Sequence, residues 1–243
     1  MAHKLKILSL NVRGLRNTNK RRAIFSYLKN QNATIFNLQE TFSKPEDEKI
    51  WTAEWGGKGF FSHGTEHSKG VTMLINPASK FQVSIEEIDP QGRYLVSKLQ
   101  IEHTIFYVIN VYVPNDYRKQ EQFIRILGEK LVSKTDTTKL IISGDWNATL
   151  NKIDKWGGLP WKETTYRNSI IDLMEELDLL DIYRQFHADT KLFTYETENS
   201  KLKSGIDFFL VSRPISYNVK RTKVRSSIAP DHKAIFFRYG VTK

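Results

Sequence analysis

Apolar runs of strand length recur along the chain, and several alternate apolar with polar residues as a half-buried sheet requires. They are "LKILSL" at 5–10, "ATIFNLQ" at 33–39, "VTMLI" at 71–75, "RYLVSKLQI" at 93–101 and "TIFYVINVYV" at 104–113, then "KLIIS" at 139–143, "IDFFLVS" at 206–212 and "HKAIFFRY" at 232–239. Three intervening segments have helical period instead. "NKRRAIFSYLKN" puts Ile24, Tyr27 and Leu28 on one stripe, "KQEQFIRILGEKLV" does so with Phe123, Ile126, Leu127 and Leu131, and "YRNSIIDLMEELDLL" with Tyr166, Ile170, Met174 and Leu177. Helices link the early strands and hairpins the middle ones. The pattern predicts a four-layer α/β sandwich, two packed mixed β-sheets flanked by helices.

The strands also share a feature at their ends. The first runs into Asn11, the second into Glu40, the fifth into Tyr112 and Pro114-Asn115, and "LIIS" into Asp145 and Asn147; Asp207 lies amid apolar neighbours, and Asp231-His232 opens the last strand. Within "KLIISGDWNATL", Asp145 and Asn147 stand two apart, which in extended backbone puts both on one side. Each of these residues read singly is equally a turn former, a loop charge or a satisfied core polar group. Read together, they place several polar side chains where neighbouring strands end.

Composition narrows the chemistry. The chain has 243 residues, long enough for one large core, and neither a linker nor a repeat interrupts it, so a single domain over 1–243 is expected. It has no cysteine, which removes disulfides, thiolate metal sites and cysteine nucleophiles and leaves oxygen or imidazole to hold any metal. No apolar run approaches the roughly 20 residues of a bilayer span, and the N-terminus lacks a secretory h-region, so a soluble, non-secreted protein without a membrane partner is expected. Its 37 Lys and Arg against 27 Asp and Glu, a net charge of +10, favour a polyanionic partner.

In order, "LNVRGL", "LQET", "VYVPN", "GDWNA", "GIDFFL" and "PDHKA" resemble the successive motifs of the endonuclease/exonuclease/phosphatase (DNase I-like) family, over residues 5–239. Within it, the opening stretch and "LDLLDIYRQFHADTKLFTY" are similar to the apurinic-type endonuclease domain of LINE-type, non-LTR retrotransposons. The resemblance implies a metal-dependent endonuclease that nicks double-stranded DNA and leaves a 3′-hydroxyl able to prime reverse transcription. It implies the N-terminal part of a larger reverse-transcriptase protein acting in the nucleus with element RNA, and a monomer when isolated. Asp145 would activate water, Asn147 contact the phosphate, His232 oriented by Asp207 act as a charged donor, Tyr112 donate to the transition state and Asn11 support the metal region. Glu40, with Asp231, would hold Mg²⁺ or Mn²⁺, the ions suited to oxygen ligands. Arg13, Arg16, Asn115, Thr194, Lys201 and Lys203 are expected at the DNA.

Three positions depart from the family pattern: Arg13 where relatives often carry Asp or Asn, Gly205 in place of a frequent basic residue, and Pro230 in place of a frequent Ser. Arginine cannot ligate a metal. "HGTEH" sets His63 and His67 four apart, but Gly64 argues against a helical metal pair; Trp156 and Trp161 read as loop packing. Lys220, Arg221, Lys223 and Arg225 form a second basic run, which is either a solvated face or a phosphate contact. The polar stretch 196–203 between strand-like ends reads as a hairpin near Asp207. An apurinic repair nuclease or a lipid or inositol phosphatase on the same scaffold, or an inactive nucleic-acid-binding module, remain alternatives. The net charge argues against the phosphatases and the complete residue set against the inactive binder.

Overall fold

The computed structural model describes residues 4 to 240. In chain order the first elements are β1 (Lys4–Asn11), α1 (Thr18–Lys29), β2 (Ile35–Gln39), α2 (Asp47–Trp55), β3 (Gly59–Ser62) and β4 (Val71–Ile75). Next come β5 (Gln82–Ile88), β6 (Tyr94–Ile101), β7 (Thr104–Tyr112), α3 (Tyr117–Lys134), β8 (Leu140–Asp145), β9 (Lys155–Trp156), α4 (Thr165–Glu176) and β10 (Leu179–Asp181). The last are α5 (Ile182–Phe186), β11 (Tyr195–Glu196), β12 (Lys203–Ser204), β13 (Asp207–Ser212), α6 (Arg213–Ser216), β14 (Val219–Arg225) and β15 (Ala234–Gly240).

Two six-stranded sheets form, in the orders β14-β15-β1-β2-β4-β3 and β10-β13-β8-β7-β6-β5. Both are mixed: β1 pairs with β2 and β7 with β8 in parallel, the other pairings being antiparallel. One face of each sheet meets the other in a core that includes Leu5, Ile7, Val71, Leu99, Phe106, Phe209 and Phe237. The outer face of the first sheet is covered by Ile24, Phe25 and Leu28 of α1 and by Trp51 and Trp55 of α2; that of the second by Ile124, Leu127 and Leu131 of α3 and Tyr166, Ile170 and Leu173 of α4. This is the expected four-layer sandwich.

The differences from the sequence pattern have local causes. The α3 stripe holds at Phe123, Leu127 and Leu131, but Ile124 is buried in place of Ile126; Gly128 faces α4 closely, since a Cβ there would sit 3.0 Å from Leu173 Cδ1. β5 is an edge strand with four of its seven residues carrying polar side chains, and β14, another edge, alternates Thr222 and Val224 with cations; both lack the apolar run that marks a central strand. The expected hairpin is present, pairing Tyr195 with Ser204 and Glu196 with Lys203, and β12 also takes β9 as a neighbour.

Candidate active site

Parallel pairing sets Tyr112 beside Asp145, antiparallel pairing sets Asp207 opposite Asp145, and the β1–β2 pair brings Asn11 beside Gln39, just before Glu40. The strand ends therefore converge on one edge of the sandwich. Gly144 makes this possible, since at φ +155° a Cβ there would stand 1.9 Å from the Val111 carbonyl oxygen. Beyond it Trp146 turns into the core and stacks on Phe208, ring centroids 5.1 Å apart, leaving Asp145 and Asn147 on the open side. Asn147 has φ +49°, and its amide N donates to Asp145 Oδ1 at 2.9 Å. The turn chemistry and the site chemistry of this stretch are thus realised together.

Asn11 Nδ2 donates to both Glu40 Oε1 and Asp145 Oδ2, each at 2.9 Å, so one amide holds two carboxylates in place. Glu40 itself has φ +51°, a conformation uncommon for a side chain of its size and of the kind that concentrates at functional sites. Asn147 Nδ2 donates to the Val113 carbonyl and to Asn115 Oδ1, and the Tyr112 hydroxyl also donates to Asn115 Oδ1 at 3.2 Å. Burial first, then the Glu40 and Asp145 charges, push the Tyr112 phenol far above its ordinary range, so it remains a proton donor. Arg93 lies over its ring, 4.8 Å from the centroid.

His232 Nδ1 faces both Asp207 oxygens, at 3.0 and 3.1 Å, and its Nε2 stands 3.9 Å from Asp145 Oδ2. Burial alone would lower the imidazole pKa; the charge and hydrogen bond of Asp207, with Asp145 and Asp231 adding, outweigh it and push it up to about 9. Burial and the facing Asp207 raise Asp145 well above the usual carboxylate range, against the pull of His232 and Asn11. Asp145, Asp207 and His232 offer ligand atoms within 4.8 Å of one another, a set able to hold a metal ion. Raised by Asp207, the His232 pKa favours the protonated ring, which cannot ligate.

Glu40 and Asp231 bring two further carboxylates to this edge. Glu40 hydrogen-bonds through Oε1 to that amide, and Asp231 Oδ1 is buried without any hydrogen-bond partner. Lys20, which donates to the Arg13 carbonyl at 2.7 Å, feels the charges of both Asp231 and Glu40, placing the two carboxylates in one electrostatic neighbourhood. An orphaned buried carboxylate oxygen and all-oxygen chemistry fit a hard divalent cation. Asp231 Oδ2 is occupied by the Arg13 guanidinium.

The family's sequence profile, described as Endonuclease/Exonuclease/phosphatase family, matches residues 8–224.

The chain belongs to the endonuclease/exonuclease/phosphatase family.

It is 28% identical over 240 residues to a Xenopus laevis protein named Transposon TX1 uncharacterized 149 kDa protein, covering 98% of this chain but 18% of that one. It is 29% identical to Recombination repair protein 1 of Drosophila melanogaster, covering 98% of this chain and 37% of that protein. The chain thus spans well under half the length of these two relatives. Among solved structures, the AP endonuclease LMAP from Leishmania major superposes with a TM-score of 0.83 at 16% identity, covering 98% of this chain and 88% of that one. The endonuclease domain of TRAS1, a telomere-specific non-LTR retrotransposon, does so with a TM-score of 0.74 at 14% identity, covering 98% of both chains. At these identities the structural likeness concerns the fold.

Within this family fold, Asn11, Glu40, Tyr112, Asn115, Asp145, Asn147, Asp207, Asp231 and His232 do gather at one edge. One expected DNA contact requires correction. Thr194 is fully buried, and its hydroxyl accepts the amide hydrogens of Ile206 and Asp207, so it positions Asp207 and has no surface to offer DNA. Arg16 and Lys203 stay partly exposed, Arg16 pairing with Asp47 Oδ2 at 2.7 Å at the start of α2 and Lys203 with Glu196 at 2.8 Å across the hairpin base. Lys201 is exposed near the hairpin tip, and Arg13 is exposed although paired with Asp231. At Gly205 the space is tight: a Cβ there would lie 2.5 Å from the Leu192 carbonyl oxygen.

The sequence reading missed the polar layer beneath the site. Gln39 Nε2 donates to Asn110 Oδ1 at 2.7 Å and Ser9 Oγ at 2.9 Å, and Asn37 Nδ2 to Ser143 Oγ at 2.9 Å, all buried between the sheets. Its signal is legible afterwards: Asn37 and Gln39 occupy alternate positions of an otherwise apolar strand. Such a network fixes the relative register of the two sheets where they end in Asn11 and Asp145.

Proposed function

We propose that this chain is a metal-dependent endonuclease domain that nicks double-stranded DNA by phosphodiester hydrolysis. The observation that carries the reading is the Asn11 amide joining Glu40 to Asp145, with the Asp207–His232 pair 3.9 Å beyond. A metal-binding group, a buried base and a charged donor thereby stand in sequence along one edge of the sandwich.

Glu40 and Asp231 would hold Mg²⁺ or Mn²⁺, which when bound neutralises phosphate charge and stabilises the leaving oxygen. Asp145, held by Asn11 and the Asn147 amide, orients water and accepts its proton; its upward-shifted pKa suits a base working near neutrality. His232, kept cationic by Asp207, donates to a nonbridging phosphate oxygen, and the protonated Tyr112 supplies a second donor. Asn147, fixed by Asn115 and the Val113 carbonyl, places its amide at the same phosphate. Arg13 and Lys201 contribute backbone contacts.

The similarity to a transposon protein supports a biological setting in which the nick's 3′-hydroxyl primes reverse transcription from element RNA by a reverse-transcriptase domain of the same parent protein, in the nucleus. End chemistry tests the reading: nicks made in plasmid DNA should be extended by a polymerase without prior end repair. Ends blocked by a 3′-phosphate, or nicks confined to abasic sites, would overturn it.

A further inference from the structure

β14 is the edge of the first sheet, and its face away from the inter-sheet core carries Arg221, Lys223 and Arg225. Thr222 is buried on the opposite face, where Val224 packs into the inter-sheet core. Strand pairing extends this face inward. Arg221 pairs with Arg238 on β15, and Arg238 pairs with Lys6 on β1, so three cations stand in a row across three strands. Lys6 and Arg238 lie on the same outer face, because their neighbours Leu5, Ile7, Phe237 and Tyr239 belong to the inter-sheet core.

Like charges directly opposite on adjacent strands are destabilising, yet none of these five cations forms an ion pair with a described residue. Arg238 Nε is buried without a hydrogen-bond partner. The Lys223 ammonium is held below its ordinary pKa by partial desolvation and by Arg221 and Arg225 beside it. Basic residues on an edge strand commonly guard against edge-to-edge pairing, which accounts for β14. It does not account for Arg238 and Lys6, on the second and third strands, where there is no edge to guard.

We propose that this face binds the sugar-phosphate backbone of a single nucleic-acid strand. Same-face residues on β14 recur at about 6.8 Å and adjacent strands at about 4.8 Å, so the cations cover a strip roughly 10 Å wide and 14 Å long. A strip that narrow takes one strand. Phe236, half-buried against the α1-side core, lies between the cations with the Arg225 guanidinium 5.5 Å from its ring centroid, a contact that holds this cation along the strip. The strip also joins the catalytic edge, because Arg225 pairs with Ala234, two residues beyond His232. A strand leaving the site can run onto it.

Affinity for labelled oligo-dT and oligo-U, measured by fluorescence anisotropy in EDTA over a salt series, tests the proposal without any cleavage. Neutralising three cations in Arg221→Gln/Lys223→Gln/Arg225→Gln should weaken binding tenfold or more and lower the salt slope by about two units, at about 0.7 per lost phosphate contact. The charge-preserving Arg221→Lys/Arg225→Lys protein should retain both affinity and slope. Equal loss on the two oligonucleotides assigns a backbone contact; loss on oligo-U alone assigns an RNA strand. Unchanged affinity and slope on both, in a protein that keeps its thermal midpoint and still nicks a short duplex, would overturn the proposal while leaving the nuclease reading intact.

Discussion

Asn11 spends one amide on two carboxylates, and that economy shows how closely the site depends on single atoms. Asp145→Ala should lower nicking about 10² to 10⁴-fold, the usual cost of losing a positioned base, with duplex affinity measured in EDTA nearly unchanged. Near-normal turnover would remove Asp145 from the reaction. For His232, an imidazole raised to about 9 contributes stability fully below its unfolded pKa of about 6.5 and loses it as pH rises through about 9. An NMR titration should place its midpoint near 9, and Asp207→Asn should bring it down sharply and remove the alkaline loss of thermal stability. A midpoint unmoved by that substitution would separate the two residues. Thr194→Val strands two amide donors, at about 1 to 3 kcal/mol for buried unsatisfied groups. Unfolding and anisotropy measurements should show lower stability and slower nicking but unchanged DNA affinity, whereas a large affinity loss would restore it as a contact.

At the scale of elements, the hairpin of β11 and β12 is tied to the catalytic edge at its base: Glu196 N donates to the Asp231 carbonyl, Lys233 N to the Thr194 carbonyl, and the Tyr195 ring lies 5.1 Å from that of His232. Replacing only residues 197–202 with a Gly-Ser turn should leave these ties and metal-dependent cleavage while redistributing nick positions along a long duplex, because a protruding hairpin senses groove shape. An identical map from sequenced nicks at undiminished rate would make the hairpin a spacer. The long central strands and the three amphipathic helices were legible because their period is strong. β3, β5 and β14 were not, since edge strands need only one apolar face, and α2 was hidden because it is anchored by just Trp51 and Trp55 one turn apart. At the site, Asn11, Glu40, Asp145, Asp207 and His232 were legible as polar ends of apolar runs. Thr194 was misplaced because residue type alone cannot distinguish a polar group facing DNA from one satisfied by the protein itself.

For the whole molecule, the sandwich brings the ends of two independent sheets to one edge, and the buried Asn37, Gln39 and Asn110 layer holds those ends in register. The net charge of +10 favours a polyanionic partner, and in the proposed reading the carboxylates at the edge are where a divalent cation would sit. Glu40→Gln should accordingly raise the Mg²⁺ concentration needed for half-maximal nicking, read from a metal titration at fixed DNA; an unchanged requirement would assign the ion elsewhere. The central claim, that this edge is a metal-dependent nuclease site, meets its most direct test in the conversion of supercoiled plasmid to open circles. The account predicts open circles with Mg²⁺, none in EDTA, and almost none with Asp145→Ala in Mg²⁺. Full conversion in EDTA, or by the Asp145→Ala protein, would contradict it.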